Sequence, residues 1–274
     1  MQPILLHLLA AGLYLALAGL FWGKSEQRKD PRHNLSRVER ALMLVALFVH
    51  GFGLHAAMFA DAGQMRFSFS LAVSMMLWLA VAFYWIESFY ARLNSLYALV
   101  LPAGLIGSLL PILLPGHYEL VNAASPAFRA HFIVAMLAYS LFTLAALHAM
   151  LMAVAERQLH RGKISRSISN LPPLLTMEAM LFRLIAIAFV LLTLTVGSGI
   201  VFSETLFGKA FRLDHKTVFA IISWLLFGGL LLGRQLWGWR GRKALRWTLA
   251  GFFALLLAYL GSRFVLEVLL HRTA

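Results

Sequence analysis

The chain has 274 residues, 61% of them hydrophobic and 13% charged, and it contains no cysteine. A soluble domain is about 45–50% apolar and about 25% charged, so this composition excludes an ordinary cytoplasmic enzyme, a disordered chain and a disulfide scaffold. Lys+Arg 24 against Asp+Glu 11 gives a net charge of +13. The basic residues fall between long apolar runs and are not interleaved with exposed aromatics, which argues for a lipid bilayer and against nucleic acid as the partner.

Eight apolar segments follow one another, each close to the ~20 residues that cross a hydrocarbon core. They cover about 4–22, 41–60, 69–86, 96–114, 131–155, 180–202, 218–236 and 248–270. The first lacks a basic leader and a small-residue cleavage site, so it is expected to remain as a helix. Pro102, Pro111 and Pro115 fall in the fourth and predict a helix end near Leu114. No segment of soluble-domain composition separates these helices, and no internal repeat or matched pair of broken helices marks a transporter. The expected architecture is an all-α polytopic bundle, a single membrane domain over residues 1–274.

Lys and Arg concentrate in alternate loops. Lys24, Arg28, Lys29, Arg32, Arg37 and Arg40 follow segment one, and Arg92 follows segment three. Arg157, Arg161, Lys163 and Arg166 follow segment five, and Arg234, Arg240, Arg242, Lys243 and Arg246 follow segment seven. The positive-inside rule assigns these four loops to the cytoplasm and both termini to the outer side of a bacterial inner membrane.

Without cysteine there is no thiolate haem ligand, iron–sulfur site or redox thiol. No Gly-x-Ser-x-Gly, Walker A or His-Glu-x-x-His pattern occurs either, so catalytic residues are absent by every motif sought. Histidine is the remaining chemical resource, with ten copies. His50 lies mid-segment in His50-Gly51-Phe52-Gly53-Leu54-His55, and glycines beside a histidine let a flat macrocycle approach the backbone. Either His50 and His55 ligate a cofactor, or the glycines serve helix packing and the histidines bond neighbouring helices. His55 is turned roughly 140° from His50 and shares no face with it. Read alone, His131 at the mouth of segment five and His215 in an outer loop are ordinary interfacial residues, as are His7, His117 and His271. Arg263 and Glu267 form an i,i+4 pair in segment eight.

The run Thr193-Leu-Thr-Val-Gly-Ser-Gly199-Ile-Val-Phe202, the loop ending Asp214-His215-Lys216 and the helix Phe219–Trp224 resemble the cytochrome c assembly superfamily, with its CcsA, CcmC and HemX types. Asp214, Lys216 and Trp224 keep that family's spacing, and His131 with Tyr139 resembles its His…Ser-Tyr-Ala helix. Leu171-Pro-Pro-Leu174 before Met177-Glu178 is similar to the short YpjD-like inner-membrane branch. The resemblance implies a haem-handling membrane protein with haem b as cofactor. His131 would be its outer iron ligand and His50 the membrane-side one, with His215, Tyr139, Asp214, Trp224 and His55 as further candidate binding residues. The tryptophan-rich stretch of the synthases reads Gly208-Lys-Ala-Phe211-Arg-Leu here, which implies a protein that is non-catalytic by itself. The partners expected are a periplasmic haem acceptor or another membrane protein. The alternatives are a cofactor-free scaffold regulating a membrane or haem-biosynthesis partner and, behind it, a small-solute transporter.

Overall fold

Two rings of four helices make up the computed structural model, which describes residues 2–23, 36–59, 65–89, 97–116, 125–161, 173–203 and 214–261. The first ring contains α1 (Gln2–Gly23), α2 (Arg37–Met58), α3 (Phe69–Glu87) and α4 (Tyr97–Leu113). The second contains α5 (Pro126–His160), α6 (Leu174–Val201), α7 (His215–Trp237) and α8 (Gly241–Leu256), the last continued by a π turn, Leu257–Gly261. In each ring successive helices pack together and the first closes against the last, while α3 against α5 joins the rings. Phe67 and Phe132, with ring centroids 4.8 Å apart, lie on that join.

Contacts along the seams show that neighbours run antiparallel. Trp85 Nε1 donates to the Arg40 carbonyl and Trp78 Nε1 to the Leu47 carbonyl, so the end of α3 meets the start of α2. In the second ring His131 meets Ser198, and His148 Nε2 donates to the Met177 carbonyl. Alternate loops consequently emerge on the same face, as the alternation of basic residues requires.

Six helices, all except α4 and α8, are long and apolar enough to cross a membrane. Their outward faces carry residues such as Phe48, Phe52, Ile187, Val190, Leu194 and Leu225, all exposed. Water would penalise so much apolar surface, whereas lipid accepts it. α4 passes through Pro102 and Pro111 and stops at Leu113, within a residue of the expected end. Segment eight extends past the described residues, which also exclude Arg263 and Glu267.

Six helices begin before their apolar runs, three of them by five residues or more. α5 starts at Pro126 and not at 131, and α6 starts after its N-cap Pro173 and not at 180. Pro126 suits the first helical position because it has no N–H to satisfy. α8 starts at Gly241 and not at 248, because its first turn is polar but still hydrogen-bonded. Hydropathy marks the lipid-facing stretch, whereas a helix continues until its backbone is capped. Between α7 and α8 the chain reverses in residues 238–240, where Gly238 at φ 62° takes the left-handed conformation that ends a helix.

Candidate functional site

His131 stands one turn into α5, half-buried, with Nδ1 2.8 Å from Ser198 Oγ of α6. The Ser198 hydroxyl also reaches the Thr195 carbonyl at 3.1 Å; in the tautomer protonated at Nδ1, His131 donates to Ser198 and its lone pair lies on Nε2. A histidine whose Nδ1–H is held by an oxygen acceptor is the usual form of a metal-ligating imidazole. Gly199 leaves room beside the ring, since a Cβ there would lie 3.6 Å from His131 Cε1. Phe132 follows and packs between Phe67 and the stacked Phe128.

His50 belongs to the other ring and is fully buried. Its Nε2 is 3.0 Å from Ser74 Oγ of α3, and its Nδ1 is 3.5 Å from the Tyr14 hydroxyl of α1. His7, two turns before Tyr14, places its ring 5.8 Å from that of His50. The glycines around His50 accommodate protein side chains. A Cβ on Gly51 would lie 2.8 Å from the Trp78 indole, and one on Gly53 would lie 3.4 Å from the His7 ring. Sequence reading had assigned His7 to the ordinary interfacial residues. Its spacing of seven from Tyr14, which puts both on one helix face, is the signal that could have drawn it into the site.

The remaining candidates separate. Tyr139, nearly buried, donates its hydroxyl to the Leu255 carbonyl at 3.1 Å and ties α5 to α8 just before the π turn. Trp224 stacks on Phe189 and donates its indole N–H to Thr193 Oγ1 across the α6–α7 seam. Asp214 is the N-cap of α7, accepting from the Thr217 N–H and hydroxyl, both at 2.9 Å. Burial raises the carboxyl pKa of Asp214, but those two bonds, with Lys216 and His215 nearby, bring it below its ordinary value. His215 is exposed at the α7 terminus, and His55 is exposed on α2 between Phe52 and Phe59. The 208–213 stretch lies outside the described residues. Among the described residues no group of three His, Cys, Asp or Glu side chains could hold a metal ion.

Outward apolar faces, antiparallel spanning helices and polar histidine centres within the bundle define a multi-pass helical membrane protein. The chain belongs to the cytochrome c assembly protein family, whose family model matches residues 35–270. It is 30% identical to the inner membrane protein YpjD of Escherichia coli K12 over 229 residues, covering 82% of this chain and 85% of that one. A 28.8 kDa protein of Azospirillum brasilense is 35% identical over 142 residues, 51% of this chain and 52% of its own. The cytochrome c biogenesis protein CcsA of Prochlorococcus marinus MIT 9515 is 35% identical over 89 residues, 32% of this chain and 28% of its own. No solved structure shows significant similarity. The chain is thus a multi-pass inner-membrane protein of the YpjD-like type, and its family membership supports a role related to cytochrome c biogenesis.

Proposed function

We propose that this protein holds haem at the outer end of α5 and α6, with His131 as the iron ligand, and serves cytochrome c assembly without catalysing thioether formation. The observation that carries this reading is the Ser198–His131 pair, 2.8 Å apart, which holds the imidazole at Nδ1 and suits a lone pair on Nε2. The open side of Gly199 suits a flat apolar macrocycle beside that ring, and Phe132, next to His131, packs with Phe67 and Phe128 to keep water from the α3–α5 join. His50 offers a poorer fit, because Trp78, Leu77 and His7 take up the space that the glycines near it leave.

The group would be haem b, held without covalent attachment, since the chain has no thiol. Bound haem supplies an iron centre whose redox state responds to its axial ligand and to burial. The chain's own residues orient and hold it: Ser198 aims the His131 ring, the phenylalanines exclude water, and Gly199 admits the edge. The basic loops support a topology of eight spans with both termini outside and His131 at the periplasmic end. From there haem could pass to a periplasmic acceptor or a partner membrane protein. His215 and Asp214 stand at the same end of the bundle.

The test is the visible spectrum of the protein purified in mild detergent, before and after dithionite. Wild type should show a Soret band with sharpened reduced bands, and His131→Ala should lose most of it. A flat spectrum that stays flat after haem is added would overturn the reading and leave the cofactor-free scaffold.

A further inference from the structure

We propose that His7 and His50 form an intramembrane binding site for a single Cu(I) ion in the core of the first ring, separate from the His131 centre. His7 is 2% exposed, and among the described residues both of its ring nitrogens lack any hydrogen-bond partner. An imidazole with two idle nitrogens in a membrane interior is costly unless something else satisfies them. Beside it, among the described residues, lies the imidazole of His50, with ring centroids 5.8 Å apart and planes at 77°. A metal bridging two imidazoles, with bonds of about 2 Å on each side, separates the ring centres by roughly 6 Å. The observed centroid spacing is of that size.

The rest of the cluster supports such a site. Ser74 lies 3.0 Å from His50 Nε2, so an Nε2–H donated to that hydroxyl orients the ring and leaves Nδ1 for the metal. Nδ1 and the Tyr14 hydroxyl are 3.5 Å apart, too long for a strong hydrogen bond, and Tyr14 is a weak third donor. Glycines make room for each ring. A Cβ on Gly104 would be 2.9 Å from Tyr14, one on Gly107 3.5 Å from His50, and one on Gly53 3.4 Å from His7.

Charge selects the ion. α1 carries no acidic residue, and Glu39 and Glu87 sit at the far ends of α2 and α3, about three turns away from His50 and Ser74. A dication held by neutral imidazoles would bury its full charge uncompensated, whereas a monovalent ion that accepts two ligands buries half as much. Imidazole binds zinc, copper, iron and nickel alike, and of these copper is the one with an accessible monovalent ion.

The experiment is an anaerobic titration of the detergent-purified full chain with Cu(I) against bicinchoninate, followed by copper X-ray absorption. Wild type should take up one copper per chain with a two-nitrogen, imidazole-type spectrum. His7→Leu and His50→Leu should weaken binding by more than 100-fold, and Ser74→Ala by roughly 10- to 100-fold. His7→Met, which packs like leucine but offers a soft thioether, should retain copper. No copper on wild type, Zn(II) bound in preference to Cu(I), or His7→Leu and His7→Met behaving alike would each overturn the proposal. The copper readout does not depend on haem, so it can fail or succeed independently of the proposed function.

Discussion

Ser198 is placed so that its hydroxyl answers His131 and the Thr195 carbonyl at the same time, 2.8 and 3.1 Å away. With the hydroxyl proton on the Thr195 carbonyl, His131 is the donor, and the haem-binding proposal gives this serine on α6 the role of orienting a histidine on α5. Ser198→Ala should therefore lower haem affinity by roughly 10- to 100-fold, as the loss of an orienting partner does at other metal sites. Ser198→Thr, which keeps the hydroxyl, should restore most of it. Titration of apo-protein with haem reads both, and equal affinity in wild type and Ser198→Ala would remove Ser198 from the site.

Glu178 holds the other end of the second ring. Its nearly buried carboxylate accepts from Arg234 Nη1 at 2.7 Å and from the Gly241 N–H at 3.2 Å, joining α6, α7 and the start of α8. Arg234 also lies over the Phe182 ring at 3.9 Å. Glu178→Gln should destabilise by about 2–3 kcal/mol, below the full cost of a broken buried pair because Arg234 is partly exposed. Arg242→Ala breaks a more exposed pair with Glu156 and should cost less than about 1 kcal/mol. Thermal denaturation in detergent compares them, and equal midpoints would mean that the clasp contributes nothing.

Two glycines should respond oppositely to alanine. A Cβ on Gly104 would meet the Tyr14 ring at 2.9 Å, and Tyr14 has no exposed side to retreat to. Gly104→Ala should cost about 1–3 kcal/mol through overpacking. Gly12 has nothing within 4 Å, so Gly12→Ala should be neutral or stabilising by about 0.5–1 kcal/mol, because a helical glycine is replaced by a better helix former. The same melting assay orders the two.

The absence of cysteine makes the orientation directly measurable. Ser125 makes no side-chain capping bond, and Arg161 ends α5 on the opposite face. A membrane-impermeant maleimide should label Ser125→Cys from the periplasm, and should label Arg161→Cys only after the membrane is permeabilised. The reverse pattern would invert the proposed topology and move the His131 end to the cytoplasm.

The sequence and the structure agree most closely where a property is local. Helix α3, expected over 69–86, runs Phe69–Glu87, because a continuous apolar run and a serine cap are both written in adjacent residues. The starts of α5, α6 and α8 were misjudged by five to seven residues because polar first turns add nothing to hydropathy. Among the candidate residues, the burial of His50 was legible from its depth in the segment, whereas the Ser198 contact of His131 was not, since the serine comes from another helix. The use of Gly51 and Gly53 was not, since Trp78 and His7 come from other helices.

By itself the sequence determined that this is a membrane protein of antiparallel helices with alternating basic loops, because hydropathy and charge act on each segment independently of its neighbours. Only the tertiary structure decided which histidines meet. His7 and His50 are separated by a whole helix and its loop, and they face each other because α1 and α2 run antiparallel at one register. His50 and His131, paired by resemblance, fall in different rings because each ring closes its own first helix against its last. Side-chain partners across helices depend on rotation and register together, and no spacing along one chain encodes both.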